Sequence, residues 1–310
     1  MRNSIFALAL TVLATPLVAD DSWYPSKYGA EDTKGAMNNL SREGAIKAAK
    51  LVKTGKVYPL GIVTGPDTPV WPGRSYSVAV MPIDDGGGTP IGNNQVTGHD
   101  DVLMTFVGIG TQLDGFAHMG INRRHYNGIH ARDFYKPNGV TKFGTEAILP
   151  TVTRGVLLDM TKHYNVDQVK PGTAFNRAEI DAAAKAAGVT IGKGDVVLFH
   201  TGWMAMAKSD PKQFIAVQPG LGNEGADYLS SLGVVMIGAD TAALEVLPSE
   251  DPALPFVVHQ TLLVKHGVHI LENIDTAQLA ADNATEFMFV LGQPRFQGTV
   301  QAVVNPVAIR

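Results

Sequence analysis

Apolar, strand-like segments alternate with helical ones through the second half of the chain, and this alternation restricts the possible folds most strongly. Strands are predicted in "RGVLLDM" (154–160), "GDVVLFHTGW" and "VVMIGAD", and a helix in "NRAEIDAAAKAAGV", where Asn176 and Glu179 can form a capping box. The first half is dominated by β segments, and the tail is predicted to form two strands joined by a turn. We therefore expect the α/β class, as a single mixed domain with a substantial β-sheet core and flanking helices.

The segments before this alternation predict fewer regular elements. A helix is expected from Arg42 to Lys53, with Ser41 as its N-cap. Residues 65–100 are rich in proline and glycine, which indicates a surface excursion with one strand near Tyr76 to Met81. The segment "DVLMTFVGIGTQLDG" that follows is apolar and β-rich, so it is predicted to form one continuous strand.

The first residues, "MRNSIFALALTVLATPLVAD", have the pattern of a secretory signal. Arg2 gives the positive start, and the apolar run from Ile5 to Ala14 has the usual length. This run is too short for a membrane span, which needs about 20 residues. We expect a signal peptide over residues 1–19, a domain over 20–310, and a periplasmic or secreted protein that does not bind membranes. The alternative is a buried N-terminal helix.

Composition excludes several classes of function. The formal net charge is −4 with no basic stripe, which argues against nucleic acid as a partner. The chain has no cysteine, so it has no disulfide and no thiolate nucleophile, and any metal must be held by nitrogen and oxygen ligands. The motifs of serine hydrolases, zinc peptidases, P-loop proteins and dinucleotide-binding proteins are all missing from the sequence.

The segment "GIGTQLDGFAHMG", residues 108–120, combines an amide, a carboxylate and an imidazole at even spacing. In a strand, residues 112, 114, 116 and 118 would point to the same side. A carboxylate buried on such a strand must be paired, hydrogen-bonded or bound to metal, because an isolated buried charge is too costly. The alternative for Asp114 is a structural role in a turn with Gly115.

A second pair of candidate ligands lies far downstream, in "HQTLLVKHGVHILEN". His259 opens a predicted helix, and Glu272 ends the strand that follows a turn at Gly267. That turn could return the end of the strand to the start of the helix. Histidine and glutamate are ordinary ligands of Zn²⁺ and Mn²⁺. His266 is expected to interact with the helix C-terminus, and His269 to face away from Glu272.

Residues 108–118 resemble the signature of the metal-dependent cyclase family, which includes bacterial kynurenine formamidases and isatin hydrolase. That signature reads His-x-Gly-Thr-His-x-Asp-x-Pro-x-His, whereas this chain has Gly-x-Gly-Thr-Gln-x-Asp-x-Phe-x-His. The resemblance continues in the same order through "YGAEDTKGAMNNL", "YNG", "RGVLLDM", "GDVVLFHTGW" and "HQTLLVKHGVHILENI". It therefore implies the cyclase-family fold for most of residues 22–310.

The resemblance also implies a metal centre with a reduced set of ligands. Its metal-binding positions fall on Asp114, His259 and Glu272, and its catalytic histidine falls on His118. Two signature histidines are replaced, one of them by a glycine that offers no ligand. We therefore expect one divalent ion, Zn²⁺ or Mn²⁺, with Gln112 as a further ligand or an adjacent partner. The histidines that could also contribute are His118, His99, His125 and His130, whereas His163 and His200 are interpreted as structural or surface residues.

These residues together imply an exported hydrolase of a small amide, cyclic imide or lactone, in which metal-activated water attacks and His118 moves the proton. Five aromatic residues could line a substrate pocket, with Trp203 favoured because it follows a strand end: Trp23, Trp71, Phe116, Tyr126 and Trp203. The alternative for each of them, ordinary packing in the core or in a loop, is the more frequent role. Two alternatives remain, namely a binding protein of the same fold without catalysis and a metal-assisted cyclase or dehydratase. The expected partners are a small-molecule substrate and, by resemblance, further copies of the chain.

Overall fold

Short apolar strands bounded by glycines and polar turns form one large mixed sheet in the computed structural model, which describes residues 22–84, 86 and 88–310. The sheet has nine strands in the order β1-β13-β11-β5-β7-β9-β10-β4-β12. Two small two-stranded sheets, β2-β3 and β6-β8, accompany it. The strands are β1 Val57–Pro59, β2 Tyr76–Pro82, β3 His99–Thr105, β4 Gln112–Asp114, β5 Thr151–Asp159, β6 Ala174–Phe175, β7 Val196–His200, β8 Gly220–Leu221, β9 Met236–Ala239, β10 His269–Glu272, β11 Glu286–Leu291, β12 Gln301–Val303 and β13 Val307–Ile309.

The helices are short and flank the sheet. Two of the predicted N-caps are present, because the Ser41 side chain accepts a hydrogen bond from the Gly44 amide and Asn176 forms a capping box with Glu179. A π-helical segment, Gln260–His266, continues directly from the short helix Val257–His259. The α-helices are α1 Arg42–Ala49, α2 Met160–Tyr164, α3 Arg177–Ala187, α4 Met206–Ser209, α5 Pro211–Ala216, α6 Asn223–Ser231, α7 Val257–His259 and α8 Ala277–Ala281.

The four central strands of the large sheet, β5, β7, β9 and β10, are parallel, and the strands on both sides of them are antiparallel. Alternate residues of the central strands enter different apolar clusters. Val156 and Leu158 pack in one cluster, whereas Leu157 packs in the other. The sheet is therefore buried on both faces, as parallel strands require. This arrangement confirms the predicted single α/β domain with a sheet core and flanking helices.

Three local predictions were wrong, in each case because long-range pairing decides where an element ends. The first helix stops at Ala49, and the chain beyond it pairs with the last residue, because the amides of Thr54 and Lys56 donate to the carbonyl oxygen of Arg310. The continuous strand predicted before Asp114 is divided into β3 and β4, with Gly110 at φ +61° between them. The tail contains three strands, and β12 and β13 lie in different parts of the large sheet.

The predicted signal peptide, residues 1–19, lies outside the described residues. Among the helices that the structure describes, no single one combines the length and the apolar character needed to cross a bilayer. The strand predicted near Tyr76 to Met81 is confirmed as β2, and it pairs with β3, which begins at the end of the predicted excursion; the residues of both strands are mostly exposed. After β3 ends at Thr105, residues 106–111 connect it to β4.

Candidate metal centre

Strand register brings polar side chains together on one face of the sheet, near its β12 edge. β10 pairs with one side of β4, so Glu272 lies opposite Gln112. β12 pairs with the other side of β4, so Gln301 lies opposite Asp114. Residues directly opposite each other in paired strands share a face, as do residues two apart along one strand. Side chains from three distant parts of the chain therefore meet around β4.

The buried carboxylate of Asp114 is the centre of this group, and its two oxygens differ in their surroundings. Oδ1 accepts hydrogen bonds from Nε2 of Gln301 at 2.8 Å and from Nε2 of Gln112 at 3.2 Å. Oδ2 is buried and has no hydrogen-bond partner among the described residues. Burial alone would raise the pKa of Asp114, but the imidazoles of His118 and His259 outweigh it and hold this pKa at about 2. The ionised Oδ2 thus accepts no hydrogen bond from the described residues and interacts through charge with the His259 imidazole, 3.7 Å away, an arrangement that a bound cation would stabilise.

His259, at the end of α7, lies among three carboxylates. Its Nδ1 is hydrogen-bonded to Oε1 of Glu245, and its Nε2 lies 3.2 Å from Oε1 of Glu272 and 3.7 Å from Oδ2 of Asp114. Burial lowers the pKa of this imidazole, but the surrounding carboxylates raise it well above its ordinary value. The bond to Glu245 fixes the ring so that Nε2 faces Asp114, as an outer partner fixes a metal-binding histidine.

His118 completes the group from a turn rather than from a strand. The β4 strand ends at Asp114, and the His118 amide donates to the carbonyl oxygen of Gly115. The ligand atoms of Asp114, His118 and His259 all lie within 4.8 Å of one another. Burial lowers the pKa of His118, which favours the neutral imidazole near pH 7. Only a neutral imidazole can bind a metal ion or accept a proton.

Glu272 adds a second buried acid to the same region. Burial is the main reason that its pKa rises to about 7, and the negative charge of Asp114 raises it further. Two carboxylates held close together in a buried site favour either a shared proton or a cation between them. One carboxylate oxygen and two imidazole nitrogens are a donor set that suits Zn²⁺ or Mn²⁺, so the residues present fit a divalent ion.

The centre opens into a cavity of about 300 Å³. Trp71 and Phe256 form an aromatic wall, with ring centroids 6.1 Å apart in an edge-to-face arrangement. Phe256 also contacts the ring of His259 at 5.7 Å. Arg74 contributes a cation to the lining, and one of its guanidinium nitrogens donates to the carbonyl oxygen of Gly108. The cavity therefore offers an aromatic surface and a positive charge beside the candidate ligands.

Of the aromatic residues that were candidate substrate contacts, Trp71 lines this cavity, whereas Trp203, Phe116 and Tyr126 lie elsewhere. Trp203 is buried against Phe214, to whose carbonyl oxygen its indole donates. Phe116 stacks on His269 with centroids 4.3 Å apart, and both residues line a separate cavity of about 370 Å³. Tyr126 is buried, and its hydroxyl donates to Asp32. Packing accounts for all three rings, and none of them lines the cavity at Asp114.

The expected common orientation of residues 116 and 118 was wrong, because the chain turns after β4 and sends these two side chains to different cavities. His269 does face away from Glu272, as predicted, and its Nδ1 is hydrogen-bonded to the backbone oxygen of Asp114. The remaining histidines form contacts outside the centre. His99 is exposed on β3, His125 bonds to the backbone of Phe116, His130 caps a short 3-10 helix, His163 packs on Tyr164, His200 bonds to Thr276 and His266 pairs with Asp227.

The structure adds three residues that the sequence analysis did not identify. Glu245 and Gln301 orient His259 and Asp114, and Arg74 lines the cavity. Glu245 lies 14 positions from His259 in the chain, and Gln301 lies 187 positions from Asp114. Arg74 is recognised only from the shape of the cavity. One signal was available in the sequence, namely the glycine at position 108, since a missing side chain in a metal signature leaves space that another residue can occupy.

The nine-stranded sheet and the group formed by Asp114, His118 and His259 define a mixed α/β domain with a buried candidate metal centre beside a small cavity. The family model named Cyclase, described as "Putative cyclase", matches residues 58–246. This match covers more than half of the chain, and the chain belongs to that family.

Individual relatives agree with this assignment. A kynurenine formamidase of Bacillus cereus is 29% identical over 125 residues, which are 38% of this chain and 57% of that protein. A solved structure described as a novel cyclase superposes with a TM-score of 0.83 at 26% identity, covering 92% of this chain and 96% of the other. Isatin hydrolase A of Ralstonia solanacearum has a TM-score of 0.63 at 18% identity, covering 87% and 98% respectively, and so shows a similar fold.

Proposed function

We propose that this chain is a metal-dependent hydrolase that cleaves a C–N or ester bond in a small amide, cyclic imide or lactone. The observation that carries the proposal is the buried Asp114 carboxylate, whose Oδ2 has no hydrogen-bond partner among the described residues and lies 3.7 Å from Nε2 of His259, with ligand atoms of Asp114, His118 and His259 all within 4.8 Å of one another. The names of two relatives, a formamidase and an isatin hydrolase, support hydrolysis of carbonyl compounds. The structural neighbours also include proteins described as metal-dependent hydrolases.

Asp114 and His259 would hold the divalent ion, with Glu272 as the next ligand and Gln112 holding the Asp114 carboxylate. When bound, such an ion supplies Lewis-acid activation of water and of a carbonyl group. His118 lies within reach of the same centre. It is the residue that would take a proton from water and return it to the leaving nitrogen or oxygen, because burial keeps its imidazole neutral near pH 7. Coordination of the ion by His118 is the other use of that nitrogen.

The cavity supports a small, planar substrate. A space of about 300 Å³ lies at the lower end of the range for small-molecule pockets. The edge-to-face pair of Trp71 and Phe256 suits an aromatic ring, and Arg74 suits the carboxylate that hydrolysis of an amide or a lactone produces. Because Phe256 contacts His259, a ring seated there would lie close to the candidate ligands.

Export of the protein remains a proposal that rests on the signal-like first residues, and we place the mature chain in the periplasm or outside the cell. The assembly of several copies is likewise proposed from resemblance alone. The metal is proposed to be Zn²⁺ or Mn²⁺, since both accept mixed carboxylate and imidazole ligands.

The test is a hydrolysis screen of the purified protein against aryl formamides, cyclic imides and lactones, each with added Zn²⁺ or Mn²⁺ and with a chelator. We expect activity on at least one class that the chelator removes and the ion restores. Asp114→Asn keeps the size of the side chain but removes its negative charge, so this variant should lose the activity. Activity that persists in the chelator or in Asp114→Asn would contradict the proposal. Binding without turnover would favour the non-catalytic alternative.

A further inference from the structure

The side chain of Gln301 occupies the space that a side chain at position 108 would need. A Cβ atom built on Gly108 would lie 2.6 Å from both Cδ and Nε2 of Gln301, far closer than any normal contact. The backbone of Gly108 does not have a positive φ, so a glycine is not required there for conformational reasons. Space, rather than backbone geometry, therefore explains the glycine.

The Gln301 amide occupies that space in a defined orientation. It reaches position 108 from β12, which pairs with β4 on the side opposite β10. Its Nε2 donates to Oδ1 of Asp114 at 2.8 Å and lies 3.4 Å from Nε2 of His118. The Gln301 side chain is almost completely buried, so water does not compete for its hydrogen bond to Asp114. An amide thus stands where the family signature described above places its first histidine.

We propose that Gln301 replaces the side chain of residue 108 as a positioning residue, and that this replacement makes the centre a site for a single ion. This inference rests on the proposed function. Two amides, from Gln301 and Gln112, donate to Oδ1 of Asp114 and leave Oδ2 without a hydrogen bond among the described residues, 3.7 Å from Nε2 of His259. The carboxylate is then oriented to give one oxygen to one ion, and it has no second oxygen free to bridge to another.

The pair Gly108 and Gln301 makes this proposal testable, because either partner can be changed alone. Gly108→Ala should displace the Gln301 amide, and Gln301→Ala should remove it. Loss of a residue that orients a metal ligand typically weakens metal affinity about 10-fold to 100-fold. Both variants should show such a loss. The double variant should bind no more weakly than Gln301→Ala, because the amide that the Gly108→Ala change would displace is already gone.

The measurement is titration of the chelator-treated chain with Zn²⁺ or Mn²⁺ alone, reading stoichiometry and affinity, so no substrate is needed. Gly65→Ala is the glycine control, since a Cβ there would meet nothing within 4 Å. Gln293→Ala is the glutamine control, since that amide donates to backbone oxygens of Thr145 and Ile148. Both controls should bind as the unchanged chain does. Gln301→Met, which keeps the volume but not the donor, replaces Gln301→Ala if that variant does not fold.

One ion per chain, matched losses in the single variants and no further loss in the double variant would support the proposal. Two ions per chain, full affinity in either single variant, or losses that multiply in the double variant would overturn it while leaving the metal centre intact. A chain that binds neither ion would overturn the metal centre itself, and with it both this inference and the proposed function.

Discussion

Replacing Glu272 by glutamine should stabilise the chelator-treated protein at high pH. The pKa of this buried acid rises from 4.5 to about 7, mainly through burial and then through the charge of Asp114. The folded state therefore holds the Glu272 proton more tightly than the unfolded state does. The free-energy cost of ionising Glu272 in the folded protein is absent below its pKa in the unfolded state. This cost grows as pH rises and is complete above its pKa in the folded state. Each pKa unit corresponds to about 1.4 kcal/mol, so the full cost is about 3 kcal/mol.

Urea unfolding in a chelator, at about pH 5 and about pH 8.5, measures this cost. The unchanged chain should lose about 3 kcal/mol more between the two values than Glu272→Gln loses. Glu43→Gln, which changes an exposed glutamate at the start of α1, should behave like the unchanged chain. Added Zn²⁺ or Mn²⁺ should stabilise the unchanged chain more than Glu272→Gln, which lacks one of the proposed ligands. The reasoning is refuted if the unchanged chain and Glu272→Gln lose stability in parallel as pH rises.

Three further changes test other parts of the account. His118→Ala should lower kcat at pH 7 by about 100-fold to 10,000-fold in the hydrolysis assay, as loss of a general base does, and an unchanged kcat would exclude that role. Gly155→Ala should destabilise the fold by about 1–3 kcal/mol in urea, because its Cβ would lie 2.7 Å from two atoms of the buried Phe287 ring; an unchanged midpoint would contradict this packing. Burial lowers the pKa of His200, but its interaction with Asp240 raises this pKa above 6.5 overall. The protonated His200 therefore stabilises the folded state below pH 6.5, and this contribution is lost as pH rises through the pKa of the folded state. Thermal unfolding of His200→Gln should therefore show a larger loss under acidic than under alkaline conditions, and equal losses would refute it.

The central part of the fold followed from the sequence because it depends on local patterns. Strands of four or five apolar residues alternate with capped helices, as at Asn176, and such units produce parallel strands buried on both faces. The outer strands did not follow, because their partners are distant in the chain. β13 inserts between β1 and β11, whereas β12 pairs with β4, and no local pattern distinguishes this from a simple hairpin.

The candidate site shows the same division. Residue types and spacing made Asp114 and His259 candidate ligands with alternatives left open, and the family resemblance assigned them to a metal site. The turn at Gly267, with φ +63°, returns the chain toward β10 as expected. The orientation of these ligands was not predictable. It depends on Glu245 and Gln301, which approach from other elements and carry no motif of their own. His118 reaches the centre through a turn, although the argument for it assumed a continuous strand.

The metal content of the purified chain, compared with that of Asp114→Asn prepared in the same way, tests the central claim most directly. Mass spectrometry of both proteins after incubation with Zn²⁺ or Mn²⁺ and removal of free ion gives the number of ions per chain. The account predicts one ion per unchanged chain and almost none in Asp114→Asn, because the ionised Asp114 carboxylate is the charged group that lies within 4.8 Å of ligand atoms of both His118 and His259. Equal metal content in the two proteins, or none in either, would contradict it.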